Sequence, residues 1–439
     1  MTVRPARILD KGPTHVHVDG SIDVWETDAM KCRSCANPLQ HVFVDLGDQP
    51  PANRYLSEAQ LSDPRNEPLF RLKVLVCDQC WLVQLADSNR SEDIFTPDYA
   101  YFSSYVKSWV DHAARYVDTV VDRFDLGSGS LAVEIASNDG YLLQHFVQAG
   151  VPCLGIDPAA KAAEAAEVKG VRTVVDFFGS ESAFRLANEH GPADLVIGNN
   201  VLAHVPDVND FVAGIAPLLA PGGVVTMEFP HLESLLAEAQ FDTIYDEHFS
   251  FFSFGAVGEI FARHGLSMFD VEKLPTHGGS LRIYAQHAGS GPHEETTAVQ
   301  ALLDGETSAG LFRLETYRGF ESRVTRIRED FRSFVAAEKE KGHRIAAFGA
   351  AAKGNTFLNT CGIGHETIEF VVDDTPMKQG KYLPGSHIPV VSEARLRESR
   401  PDVVLILPWN VKDDVRRKLA YTAEWGAKLV TCIPDLEIT

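Results

Sequence analysis

Two cysteine pairs, Cys32-x2-Cys35 and Cys77-x2-Cys80, have the spacing of metal knuckles. Each pair presents two thiolates from one tight turn, and two such turns complete a tetrahedron around Zn²⁺. Four thiolates leave no open coordination position, so the expected zinc is structural. It would help fold a block too small to hold a large core alone. Cys153, Cys361 and Cys432 lie in or beside apolar runs and read as packing residues.

A second group of reactive side chains recurs where strands run into helices. Val133-Glu134-Ile135-Ala136-Ser137-Asn138-Asp139-Gly140 is a tight polar junction at which backbone N–H groups can meet a ligand. Only Gly140 is glycine in that loop, which argues against NAD there. The next strand ends at Asp157-Pro158, where a carboxylate can accept ribose hydroxyls. Asp176-Phe177 would set an acid and an aromatic beside an adenine, and Asn199-Asn200 closes a fourth strand. Acids and aromatics at successive strand ends suit S-adenosylmethionine, whose sulfonium is cationic and carries no phosphate.

The densest reactive cluster is Phe241-Asp242-Thr243-Ile244-Tyr245-Asp246-Glu247-His248-Phe249-Ser250. Tyrosine, glutamate and histidine within four residues can supply a hydroxyl donor, a tuning carboxylate and a base. A carboxylate beside His248 would raise its basicity and fix its tautomer. Farther on, Phe348-Gly349-Ala350-Ala351-Ala352-Lys353-Gly354-Asn355-Thr356 makes a close-approach turn with one positive charge, suited to a pyrophosphate. Val372-Asp373-Asp374 resembles a ribose-binding strand end, so an NAD site is the rival reading of this unit, although the spacing departs from the full fingerprint. His277-Gly278-Gly279-Ser280-Leu281-Arg282 allows close backbone approach, with Arg282 able either to face a phosphate or to sit on the surface.

The elements that must hold these residues follow from patterning. LAVEIA, CLGID, RTVVD, DLVIGNN and VVTMEFP are short β-branched runs separated by helical stretches, the order of a parallel sheet with covering helices. GLSMFDVEKLPTHGGSLRIYAQ reads as an antiparallel closing pair. Helix is expected near 105–123 and through most of 296–342, followed by a second strand set, RIAAFGA, IEFVVDD, IPVV, DVVLILP and KLVTCI. The fold class is therefore α/β: a zinc-binding N-terminal module, a Rossmann-like core and a second Rossmann-like unit. The expected boundaries are a polar leader at 1–29, then 30–92, 93–292 and 293–439.

The chain of 439 residues has 40 basic and 61 acidic side chains, a net charge of −21. Such a field repels phosphate backbones and anionic lipid, so neither nucleic acid nor a membrane is an expected partner. No apolar run approaches the ~20 residues that cross a bilayer, and the first thirty residues lack the apolar segment of a secretory signal. A cytoplasmic, monomeric protein is expected.

The four-cysteine module, the Ser137-Asn138-Asp139-Gly140 core loop, Tyr245-x-Glu247-His248 and the glycine-containing C-terminal turn together resemble the nucleotide-sugar C-methyltransferases, nearest the tetronitrose C3-methyltransferase type. The resemblance implies S-adenosylmethionine-dependent methylation of a dTDP-linked 4-keto-6-deoxysugar at carbon 3. By matching motifs, His248 resembles the general base and Tyr245 and Glu247 its neighbours. His204 matches a pocket histidine, and Tyr99 a tyrosine near the sugar, with Tyr101 a close competitor. His277, Gly278, Arg282, Lys353, Asn355 and Thr356 would help hold the nucleotide-sugar. Ala136 stands where many methyltransferases have glycine. A C5- or N-methyltransferase of a nucleotide sugar, or an NAD(P)-dependent sugar oxidoreductase, remain alternatives.

Overall fold

The structure, a computed structural model, describes residues 30–86 and 102–439. The leader and both Tyr99 and Tyr101 lie outside the described residues. Strands β1 (His41–Gln49), β2 (Phe70–Val76) and β3 (Val83–Leu85) form an antiparallel sheet beside the cysteine knuckles.

The central sheet comprises β4 (Ala132–Ile135), β5 (Cys153–Ile156), β6 (Thr173–Val174), β7 (Ala193–Asn199) and β8 (Leu219–Pro230). The chain then leaves it for β9 (Ser250–Phe251) and returns as β10 (Leu266–Leu274) and β11 (Ser280–His287). The order is β10-β11-β8-β7-β4-β5-β6, with β11 antiparallel to both neighbours as the closing pair requires. Every residue of β4 is buried, which is why it reads as an unbroken apolar run interrupted only by Glu134. The helix Lys107–Arg123 buries Ala113, Tyr116, Val117 and Val120, one stripe at helical spacing, against this sheet.

The third sheet contains β12 (Ile345–Phe348), β13 (Val371–Val372), β14 (Val390–Val391), β15 (Val403–Ile406), β16 (Lys428–Thr431) and β17 (Glu437–Ile438). Its order is β14-β13-β12-β15-β16-β17, parallel except for β17. Strand order reverses between β4 and β7 and again between β12 and β15, the two places where open α/β sheets take ligands at their carboxyl ends. The helix Phe320–Glu340 connects the second and third sheets and also packs on the first, with Phe320 stacked on Phe43 at 4.4 Å between ring centroids.

One pairing crosses the sequence blocks. Strand β9 completes the first sheet by pairing with β3, Val83 opposite Phe251 and Gln84 opposite Ser250. The Tyr245–His248 segment therefore enters directly into a strand of the cysteine-bearing module. Backbone bonds hold it on both sides: Phe249 N–H donates to Ala203 O at 2.7 Å, and Leu85 N–H donates to Phe249 O at 3.0 Å. Among the described residues no helix is long and apolar enough to cross a membrane.

Candidate active site

The four knuckle cysteines converge. Cys32 and Cys80 sulfurs are 3.5 Å apart, as are those of Cys35 and Cys77, and all four fall within 4.8 Å of one another. Tetrahedral zinc with bonds of about 2.3 Å needs sulfur separations near ~3.8 Å, so the cluster fits the metal. Gln84 donates to Cys32 Sγ at 3.2 Å and accepts the Arg33 N–H at 2.9 Å, so the knuckle is bonded to β3 from outside the ligand shell.

At the carboxyl ends of β4, β5 and β7, buried acceptors outnumber donors. Glu134 Oε2, Ser137 Oγ, Asp139 Oδ1, Asn199 Oδ1 and Asn200 Oδ1 are buried without hydrogen-bond partners. Burial, reinforced by Asp157 and Asp139, holds the Glu134 carboxyl well above the usual range. A cationic ligand with an ammonium, a sulfonium and ribose hydroxyls is what such a surface lacks. The residues thus fit S-adenosylmethionine. Ala136 (φ +57°), Asn138 (φ +50°) and Asn200 (φ +54°) all adopt left-handed backbone, so the loop makes its close turn with alanine where glycine would be unstrained. Asp157 also holds the loop, accepting the N–H groups of Asn138 at 2.9 Å and Ala159 at 2.8 Å, with Pro158 between. Asp176 pairs with Arg185 at the sheet edge, and the Phe177 ring beside it is partly open to solvent.

The histidine cluster lies where the segment before β9 meets the end of β7. His248 Nδ1 donates to Thr243 O at 2.7 Å, which leaves Nε2 as the acceptor of the Tyr245 hydroxyl at 2.9 Å. The His204 ring stands edge-on to His248, 4.7 Å between centroids. Burial, then repulsion between the two imidazolium forms, holds His248 well below its ordinary value, and burial lowers His204 to about 4. Both rings are neutral at pH 7. Two sequence expectations are corrected here. The carbonyl of Thr243 holds the His248 tautomer in place of the Glu247 carboxylate, which instead accepts Asn53 Nδ2 at 2.8 Å. The environment also lowers the basicity of His248, because desolvation outweighs any carboxylate nearby.

Arg282 is likewise corrected. It is 5% exposed, donates through Nε to Glu228 at 2.8 Å and through a terminal nitrogen to Glu272 at 2.9 Å, and covers the Tyr116 ring. It neutralises the buried Glu228 carboxylate, pairs with the more exposed Glu272, and is turned to these partners and not to a phosphate. His112 joins the same network, 2.9 Å from Glu228 and stacked on Trp109, whose edge meets His277 at 5.1 Å. Sequence reasoning missed Trp109, His112 and Glu228. Only the placement of Glu228 near the end of β8, the same rule that found Asp157, carried a signal.

The third sheet closes the site. Asn355 and Thr356 are buried in the helix Ala352–Cys361; Asn355 Nδ2 donates to Ala52 O at 2.6 Å, which ties the helix to the N-terminal module, while Asn355 Oδ1 and Thr356 Oγ1 have no hydrogen-bond partner among the described residues. Trp409 Nε1 donates to Asp242 at 2.7 Å, and burial raises that carboxyl to about 7. Gly278 lies under the Trp409 ring, where a Cβ would come within 2.5 Å of it, and its φ of +88° would strain any other residue independently. A cleft of about 490 Å³ opens beside this contact, lined in part by Gly278, Gly279, Trp409, Asn410 and Lys412.

Comparison with known proteins matches three family models in order: a "Putative zinc binding domain" over residues 32–95, a methyltransferase domain over 109–271 and a C-methyltransferase C-terminal domain over 275–434. C-methyltransferase NovU of Streptomyces niveus is 38% identical over 405 residues, 92% of this chain and 96% of that one. A ubiquinone biosynthesis O-methyltransferase of Bordetella avium is 33% identical over 99 residues, 22% of this chain and 41% of its own. Among solved structures, magnesium protoporphyrin IX methyltransferase of Synechocystis with bound SAM aligns over 45% of this chain and 89% of its own at 18% identity and a TM-score of 0.32. Fold and site define an S-adenosylmethionine-dependent methyltransferase with a zinc-binding module. The chain belongs to the C-methyltransferase family.

Proposed function

We propose that the protein methylates carbon 3 of a dTDP-linked 4-keto-6-deoxysugar through an enolate. The observation that carries this reading is the Tyr245–His248 pair: a neutral imidazole, its Nδ1–H held by a backbone carbonyl and its Nε2 turned to a phenol. That pair lies beside the acceptor-lined strand ends. A carbon nucleophile needs such a base, because a C–H adjacent to a carbonyl is acidic but must still be deprotonated.

His248 Nε2 takes the C3 proton, while the Thr243 carbonyl keeps Nδ1–H pointing away and steadies the resulting imidazolium. The Tyr245 hydroxyl, displaced from Nε2, becomes a donor to the sugar oxygen. A positioned base contributes ~10²–10⁴ in rate. His204, neutral and edge-on, lines the pocket, and Glu247 with Asn53 ties the segment to the N-terminal module. The family resemblance assigns a tyrosine near the sugar to Tyr99, with Tyr101 a close competitor. Glu134 and Asp157 would help hold S-adenosylmethionine, which would supply an electrophilic methyl. The nucleotide enters the cleft beside Gly278 and Trp409.

The test is proton exchange. In D2O without methyl donor, wild type should wash deuterium into C3 of dTDP-4-keto-6-deoxyglucose, and His248→Asn should slow this by ~10² or more while still binding dTDP and adenosylhomocysteine. Normal exchange in that variant removes His248 as the base.

A further inference from the structure

Lys353 stands in the first turn of the helix Ala352–Cys361. Its Nζ donates to Asn410 Oδ1 at 2.8 Å and lies 4.8 Å from the centroid of the Trp409 ring. Among the described residues no carboxylate is ion-paired with it, and Asp242 acts on it only through space. An ammonium has three N–H donors, so two remain for a ligand.

The surroundings of that ammonium are those of the reacting centre. Its helix packs on the Phe241–Thr243 turn, with Phe357 6.0 Å from Phe241 between ring centroids. Thr243 of that turn provides the carbonyl that holds His248. On its other side, Trp409 separates it from Gly278, next to His277. Burial dominates the lowered pKa of both His248 and His277, and the Lys353 charge adds to the lowering in each. The Lys353 charge is thus felt at two neutral imidazoles, and Arg282, one candidate for a phosphate, is bound to Glu228 instead.

We propose that Lys353 is a catalytic residue that stabilises the enolate oxygen at C4 of the sugar, and is not a ligand of the nucleotide's phosphates. The proposal rests on the 4-keto-sugar reading above. As the C3–H bond breaks, its electron pair moves onto the C4 oxygen and the proton passes to His248 Nε2. The oxygen, now anionic, accepts from the Lys353 ammonium. The C3–CH3 bond then forms as the S–CH3 bond breaks, the electron pair of that bond stays on sulfur, C4 returns to a carbonyl, and His248 releases its proton to water.

Lys353→Met, with Lys353→Arg as the charge-keeping control, separates this role from phosphate binding. With dTDP-4-keto-6-deoxyglucose at saturation and labelled methyl donor, Lys353→Met should lower kcat by ~10²–10³, the range for loss of one oxyanion donor. Its affinity for dTDP and adenosylhomocysteine should stay within about twofold of wild type, and Lys353→Arg should recover part of the rate. In ¹⁵N-histidine NMR of the ligand-free full chain, His248 should titrate at higher pH in Lys353→Met, since a nearby positive charge has been removed. A dTDP affinity weakened ~tenfold with kcat intact, or an unmoved His248 titration, overturns the proposal. If Lys353→Met loses adenosylhomocysteine binding, Lys353→Gln is read by the same criteria. Failure of the underlying reading shows differently: wild type then leaves the 4-keto sugar unmethylated.

Discussion

Arg33 lies inside the first cysteine knuckle yet reaches the residue after the proposed base. Its NH1 donates to Leu85 O at 2.7 Å and Phe249 O at 3.1 Å, bridging β3 to the chain just after His248, and its guanidinium sits 5.7 Å from the Phe249 ring. Arg33→Met keeps the alkyl packing and removes both bonds. Hydrogen bonds from a charged donor contribute ~1.5–3 kcal/mol each when buried. Arg33 is half-exposed, so solvent screening reduces the pair to about 2 kcal/mol in total. Freed from this clamp, the Phe249 carbonyl can shift, and a misplacement on the order of 1 Å costs ~10² in rate. Denaturant unfolding, zinc content and single-turnover methyl transfer are measured together on the full chain. Stability should fall by about 2 kcal/mol, transfer should drop at least ~tenfold, and one zinc per chain should remain. A stability loss of that size with unchanged transfer would refute the idea that the zinc module positions His248.

Asp157→Asn replaces one acceptor of two backbone N–H groups by a donor, so adenosylhomocysteine affinity measured by calorimetry should weaken by ~1.5–3 kcal/mol, with dTDP affinity unchanged. Removal of zinc from freshly purified protein should expose the N-terminal module to proteolysis before the central sheet, as a structural metal requires; protein that never contained stoichiometric zinc would contradict this. Because His248 is held well below its ordinary pKa, the base form persists as pH falls, and transfer should stay level from pH 7 through 6.5 and decline only below that. Stability runs with the same sign: His204 and His277, both near 4 when folded, bind fewer protons than in the unfolded chain, so their contribution is complete above about 6.5 and fades as pH falls toward 4.

Local patterns were legible in the sequence, and long-range pairings were not. The cysteine spacing sufficed for the four-thiol cluster because each knuckle is one turn. Acids at Glu134 and Asp157 were legible because a strand end is where open α/β sheets bind ligands. Strand β9 was invisible: two residues carry no periodicity, and their partner lies some 170 positions earlier in the chain. The same limit hid the Asp242–Trp409 and Arg282–Glu228 contacts. A lone arginine after two glycines looks ready for phosphate until the opposite strand supplies its carboxylate. For His248, neighbours in sequence suggested Glu247 as its partner, but a turn places Thr243 O on one nitrogen and Tyr245 on the other.

The decisive measurement is the position of the transferred methyl. Protein, ¹³C-methyl-labelled S-adenosylmethionine and dTDP-4-keto-6-deoxyglucose should yield a product whose label couples to C3 of the sugar in ¹³C NMR, with a matching mass gain. Label on C5 or on a heteroatom, or no methylated sugar at all, would contradict enolate chemistry at C3.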